Sequence, residues 1–158
     1  MNRHRAAFSL AAVFVVVAES AQGVINIDMP VAKIFDSVKA VAVGEVTAVN
    51  PENRVLDLKT TELLKGAAIG DTFRVQLATP PELIKKIAAG QPLVLLTGED
   101  FGKPVALIHV ADTWLLAEFL ASSKVPAWRV VQAHQAKKSF AGTTAELVKV
   151  LRELKPAK

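Results

Sequence analysis

The chain has 158 residues, is 51% hydrophobic and 22% charged, and so supports one domain with a real core rather than a disordered or low-complexity segment. It contains no cysteine, which excludes a disulfide scaffold, thiol catalysis, iron–sulfur clusters, covalently attached c-type haem and cysteine-based zinc sites. The formal net charge of +4 falls to +3 without Arg3, Arg5 and Glu19, which lie in a segment expected to be removed, and a charge that small and dispersed argues against a nucleic-acid partner.

Met1 to Arg5 carries Arg3, His4 and Arg5 and leads into an apolar run from Ala6 to Ala18 broken only by Ser9. This is the pattern of a secretory signal, and the run falls short of the ~20 residues that a spanning helix needs. Ala21 and Gly23 before Val24 suit signal peptidase, with Ala18 and Ser20 before Ala21 as the alternative site. Residues 1–23 are therefore expected to be a signal peptide, and the mature protein periplasmic or secreted, with no stable membrane span after cleavage. The rival is an uncleaved segment retained as a membrane tether.

Residues 24–37, with Pro30 in the middle, read as a lead-in strand or loop. A β-rich domain is expected over residues 38–120. In its first strand the apolar phase moves from Val41 and Val43 to Val46 and Ala48 across Gly44, as at a β-bulge or sharp bend. Asn50-Pro51-Glu52-Asn53 is a turn, after which Leu56 and Leu58 alternate with Asp57 and Lys59. Lys65-Gly66 ends this second strand. Phe73, Val75 and Leu77 define the buried face of a third, with Arg74 and Gln76 opposite.

Thr79-Pro80-Pro81-Glu82 reads as a capped start for a short helix over residues 82–89, with Leu83, Ile84 and Ile87 on its apolar side and Gly90 as its stop. Leu93 to Leu96 is a strand covered on both faces. A turn at Glu99 to Lys103, a strand at Val105 to Val110, a turn at Ala111 to Thr113 and a strand at Trp114 to Phe119 follow. Residues 121–158 are expected to form a linker and a C-terminal helix. Val125 to His134 is ambiguous between strand and helix, and Thr144 to Leu154 is an amphipathic helix presenting Leu147, Val150, Leu151 and Leu154, with a capping box at Thr143 and Glu146.

The expected fold is mainly β: an OB-fold-like barrel of five to six strands, with a short helix between strands 3 and 4 and a C-terminal helix packed on it. OB barrels have five strands, commonly with a helix between the third and fourth and a long first strand that bends to serve both halves of the barrel. Phe73, Val75, Leu77, Leu95 and Val43 are expected to point inward. The segments Val43 to Val49, Leu63 to Gly66, Gly70 to Val75, Gly90 to Leu96 and Trp114 to Leu116 resemble the TIMP-like, or netrin-like, OB domains of exported bacterial proteins, over roughly Val38 to Phe119. The resemblance implies an exported binding scaffold. The animal metalloproteinase inhibitors of that superfamily grip zinc through an N-terminal cysteine, which has no counterpart here, so that activity is not carried over.

Candidate site residues are few. His109, between Ile108 and Val110, is more simply a half-buried or edge strand histidine with a local hydrogen bond than a ligand or base. His134 lies among polar residues that read as solvated, Ser122 and Ser123 lack the context of a hydrolase nucleophile, and Glu99 with Asp100 lacks the oxygen-rich spacing of a calcium loop. No catalytic or metal-binding set and no cofactor is expected. Among the aromatics, Trp114 suits the core, whereas Phe101 and Trp128, the latter beside Arg129, could serve a binding face. Lys124, Arg129, Lys137 and Lys138 give a mild basic region. The composite expectation is a non-enzymatic binding domain whose partner is a protein or a small anionic ligand in the envelope or outside the cell. Alternatives are an envelope enzyme or accessory factor using His109 with Asp112 or Glu118, and a membrane-tethered structural protein.

Overall fold

The computed structural model describes residues 28–134 and 139–155. The expected signal peptide and its cleavage site lie outside the described residues, as do Lys137 and Lys138. The elements are α1 (Val31–Ser37), β1 (Ala40–Asn50), β2 (Val55–Lys65), β3 (Thr72–Gln76), a 3-10 helix (Pro81–Lys86), β4 (Pro92–Asp100), β5 (Lys103–Val110), β6 (Thr113–Phe119), β7 (Ala127–His134) and α2 (Thr144–Leu154). The strands form a closed barrel in the order β1-β2-β3-β7-β6-β5-β4, with β4 pairing back to β1 through Ala40 to Glu45. Every neighbouring pair is antiparallel except β3 and β7, which run parallel.

The barrel thus has seven strands rather than five or six. The additional wall is β7, within the ambiguous Val125 to His134, so the barrel runs to His134 instead of ending at residue 120. Trp128 and Val130 are buried while Arg129 is exposed, the alternation of a strand. The lead-in also differs from expectation, because Val31–Ser37 is helical. Pro30 precedes the helix, and Val31, Ile34 and Phe35 share one buried face at helical spacing. The segment after Thr79 is a 3-10 helix that ends at Lys86. Pro80 occupies its cap position without a side-chain cap bond, so the Thr79 and Glu82 box does not form, and Glu82 instead lies 3.0 Å from Lys85.

Two apolar clusters lie on opposite sides of the barrel wall. The inner one contains Val46, Leu56, Leu58, Phe73, Val75, Leu77, Leu93, Leu95 and Ile108, and the 3-10 helix adds Leu83 and Ile84 to it. The outer one joins Val41, Val43, Val94, Leu96, Leu107 and Trp114 to the apolar faces of α1 and α2. Val43 is therefore an outward residue, contrary to the expected inward list. The apparent phase change along β1 is a change in which face is buried: Val41 and Val43 lie beneath the helices, whereas Val46 faces the interior. Gly44 stands between them because a Cβ there would come within 2.8 Å of Phe73 Cζ. The irregular pairing beside it places the extra residue, Thr61, on β2: Val43 pairs with Glu62 and Gly44 with Thr60.

Helix α2 spans the predicted residues and starts with the predicted capping box, in which Glu146 N–H donates to Thr143 Oγ1 at 3.2 Å and Thr143 N–H to Glu146 Oε2 at 2.8 Å. Leu147, Val148 and Leu151 are buried, while Val150 and Leu154 pack at the margin of the outer cluster. Arg152 Nε bonds Glu62 on β2 at 2.8 Å, and Lys65 Nζ donates to the Phe35 and Asp36 carbonyls at the end of α1.

Phe73→Ala is expected to lower stability by about 3 to 5 kcal/mol, read as a fall in denaturant midpoint at unchanged slope. Gly44→Ala should cost about 1 to 3 kcal/mol through collision with the same ring. Hydrogen exchange is expected to show the amides of Val148 to Leu151 as protected as those of the strands, because an isolated helix this short is marginal in water. Rapid exchange there would mean that α2 is not held on the barrel.

Candidate functional site

The two helices divide the outside of the barrel unequally. The outer cluster takes no residue from β3 or β7. Thr72, Arg74 and Gln76 on β3 and Arg129 on β7 are exposed, as is Lys59 on β2. Strand alternation puts these side chains outward, because their neighbours Leu58, Phe73, Val75, Trp128 and Val130 fill the interior.

Register brings two arginines together on this uncovered face. Arg74 pairs with Asp57 of β2 on one side and Ala127 of β7 on the other, and Arg129 pairs with Gln76 of β3 and Glu118 of β6. Each guanidinium has an acidic neighbour on its outer flank: Arg74 Nε donates to Asp57 Oδ1 at 2.6 Å, and Arg129 Nη2 lies 3.5 Å from Glu118 Oε2. These side chains stay roughly half exposed, so the ion pairs orient the arginines more than they stabilise the fold. The result is an exposed polar surface in which two arginines on adjacent strands each lie beside a carboxylate of the strand on the other side. Sequence reasoning selected Arg129 but not Arg74, whose nearest signal was the alternation that placed it opposite the core face of its strand.

Trp128 is not part of this face. It is 5% exposed, pairs with Val75 and Phe119, and packs in the inner cluster, with its ring centroid 5.1 Å from that of Phe119. Its Nε1 has no hydrogen-bond partner among the described residues. The reason for the correction is parity: with Arg129 outward, its neighbour must point inward. Trp114 is buried as expected, yet in the outer cluster beneath α2, where Nε1 donates to the Phe140 carbonyl at 3.1 Å.

His109 lies on the outer face of β5 and is 1% exposed, more deeply buried than the half-buried strand histidine of the simpler reading. Its ring meets Trp114 edge-on at 4.7 Å and Phe140 at 6.2 Å. Its Nδ1 is 2.9 Å from Thr144 Oγ1 at the start of α2. Asp112, in the β5–β6 turn, accepts the Thr144 N–H at 2.8 Å, and its own N–H donates to Thr144 Oγ1 at 3.2 Å. The three residues fasten the N-terminus of α2 to the barrel, with the Asp112 carboxylate favourably placed at that helix end. A cleft of about 330 Å³ borders this joint and is lined by Lys86, Gln91, Asp112 and Thr143, but His109 is sealed behind Thr144. Glu118 belongs to the other face, beside Arg129.

Phe101 caps the β4–β5 hairpin and is 96% exposed. Glu99 and Asp100 are the last residues of β4, and Glu99 pairs with Lys39. Ser122 and Ser123 are exposed in the β6–β7 connection. Among the described residues, no group of three or more His, Asp or Glu side chains is placed to hold a metal ion, and no helix is long and apolar enough to cross a membrane. No protein-family model matches the chain, and no curated protein or solved structure matches it.

Burial lowers the His109 pKa from 6.5 to about 4, against a smaller raising effect from Asp112. Above pH 6.5 the ring is neutral both folded and unfolded and adds no pH dependence. Between pH 6.5 and 4 the unfolded chain takes up the proton and the folded chain does not, so stability is expected to fall as the medium is acidified, and to level off for this group below pH 4. The full span is on the order of 3 kcal/mol. Chemical denaturation at a series of pH values should show that slope in the wild type and a weaker one in His109→Gln. Equal slopes would remove the histidine from the acid response.

Proposed function

We propose that the protein is an exported, non-enzymatic binding domain that uses an OB-like barrel to engage an anionic group on a ligand or partner protein. The observation that carries this reading is the pair Arg74 and Arg129, exposed on neighbouring strands of the one barrel face that neither helix covers. Guanidinium groups suit this role because each can donate two parallel hydrogen bonds to a carboxylate, phosphate or sulfate. The flanking Asp57 and Glu118 favour a compact anionic group over an extended polyanion, which would meet them as like charges.

The OB-like assignment is supported by the order of elements. Strands β1 to β3 form a meander, the 3-10 helix follows, and β4 returns to pair with the first half of β1. The uncovered face is centred on β3 and β7 and takes in Lys59 of β2, so it overlaps the face of strands 2 and 3 through which OB domains commonly bind. The likeness to the TIMP-like group extends that reading, although the barrel carries more strands than the five-stranded plan. Export rests on the pattern of residues 1–23. Against an enzyme built on His109 stand its burial beneath the start of α2 and the position of Glu118, exposed beside Arg129 four residues along β6 from Trp114, the residue that pairs with His109. Fold likeness alone does not name a ligand, so the arginine pair rather than the architecture sets the expected chemistry.

The test is an NMR titration of isotope-labelled protein with inorganic phosphate and, separately, with a peptide ending in two glutamates. Saturable shifts are expected at outward residues of β2, β3 and β7, with affinity at least tenfold weaker in the Arg74→Ala/Arg129→Ala variant, in line with the loss of about 1.4 kcal/mol or more. Shifts centred on the Asp112 and Thr143 cleft, or no saturable shift with either probe, would overturn the assignment.

A further inference from the structure

The β4–β5 hairpin carries a phenylalanine that neither the backbone nor the core accounts for. Asp100 pairs with Lys103, so the connection has only two residues, Phe101 and Gly102, with φ of +46° and +75°. Two successive residues with positive φ make the type of turn for which Asn-Gly is the favoured sequence. A bulky aromatic in the left-handed region is a steric outlier. Its ring is also 96% exposed, so no burial among the described residues offsets that cost.

The surroundings indicate what the ring can do. Among the described residues three large hydrophobic side chains are exposed, Phe101, Phe119 and Val131, and the first two line the same cleft. This cleft holds about 390 Å³, between the ends of β5 and β6, and its walls include Pro104, Val105 and Glu118. Such a volume exceeds what one aromatic ring requires. The hairpin therefore presents an aromatic knob beside a partly apolar hole. At the base of the knob the two strands carry opposite charges at paired positions, Asp100 and Lys103.

A knob and a hole on one surface are self-complementary under a twofold axis. We propose that this hairpin tip and its cleft form a contact between two copies of the chain, the Phe101 ring of each entering the cleft of the other. In that arrangement Asp100 faces the partner's Lys103, and Lys103 faces the partner's Asp100, so both charge contacts are attractive. An anionic bilayer is a poorer occupant, because Asp100 would approach it together with the ring. The cleft shares Glu118 with the edge of the arginine face, but the contact does not depend on the ligand proposed for that face.

Sedimentation velocity of the chain as its host processes it, over a wide range of concentration, tests the proposal. The wild type is expected to show a concentration-dependent dimer. Phe101→Asn should weaken it at least tenfold, as for an aromatic anchor, while leaving the melting temperature of the monomer equal or higher, since asparagine suits the turn. Asp100→Lys should also weaken the dimer, and Asp100→Lys/Lys103→Asp should restore it. A wild type that stays monomeric at every concentration, or a dimer that Phe101→Asn leaves unchanged, would overturn the proposal. So would a monomer that sediments with phosphatidylcholine/phosphatidylglycerol vesicles only when Phe101 is present, which would assign the tip to a membrane surface.

Discussion

A barrel wall that is apolar on both faces must be covered twice, and the arrangement of this protein follows from how that second covering is supplied. Leu93 and Leu95 face the interior while Val94 and Leu96 face outward on the same strand, and β1 and β5 repeat the pattern. The interior is filled by the strands and the 3-10 helix. The outer residues would remain in water without α1 and α2. Because fully burying one leucine stabilises the fold by about 1.5 to 3 kcal/mol, Leu147 and Leu151 are enough to hold a helix that would be marginal alone.

That covering has a chemical consequence at the place where α2 begins. A histidine on the outer face of β5 would ordinarily meet solvent, but here the helix start closes over it, and Thr144 and Asp112 satisfy one another while Thr144 reaches the ring. His109 is thereby converted from a possible reactive group into part of a joint between helix and barrel. The same covering is incomplete around the circumference. β3 and β7 keep one face in water, and it is there that outward arginines remain available. The division between covered and solvent-facing surfaces is thus set by where the helices lie.

Much of this organisation was legible along the chain where local chemistry and periodicity agree. The capping box at Thr143 and Glu146, the apolar spacing behind it, the alternation from Phe73 to Leu77 and the doubly covered run at Leu93 to Leu96 all appear in the structure as read. The departures share a cause. Val31, Ile34 and Phe35 have helical spacing, but a helix of seven residues offers too few repeats to stand out beside Pro30. Val125 to His134 has alternation compatible with either state until β3 supplies a parallel partner. Val43 and Trp128 were placed on the wrong side because periodicity assigns residues to alternate faces without saying which lies inside, or whether both are buried.

The sequence by itself determined that this chain makes β-strands of particular phase, ends them at particular turns and closes with an amphipathic helix, since these depend on neighbouring residues and on the preferences of Gly, Pro, Thr and the apolar side chains. Only the tertiary structure decided that β7 completes the barrel, that Arg74 and Arg129 stand on adjacent strands, and that His109 is sealed rather than offered. Those outcomes depend on pairings between residues far apart in the chain. A strand carries the alternation of its own two faces, but which neighbour it meets, and which face a helix then covers, is settled by the packing of the whole barrel.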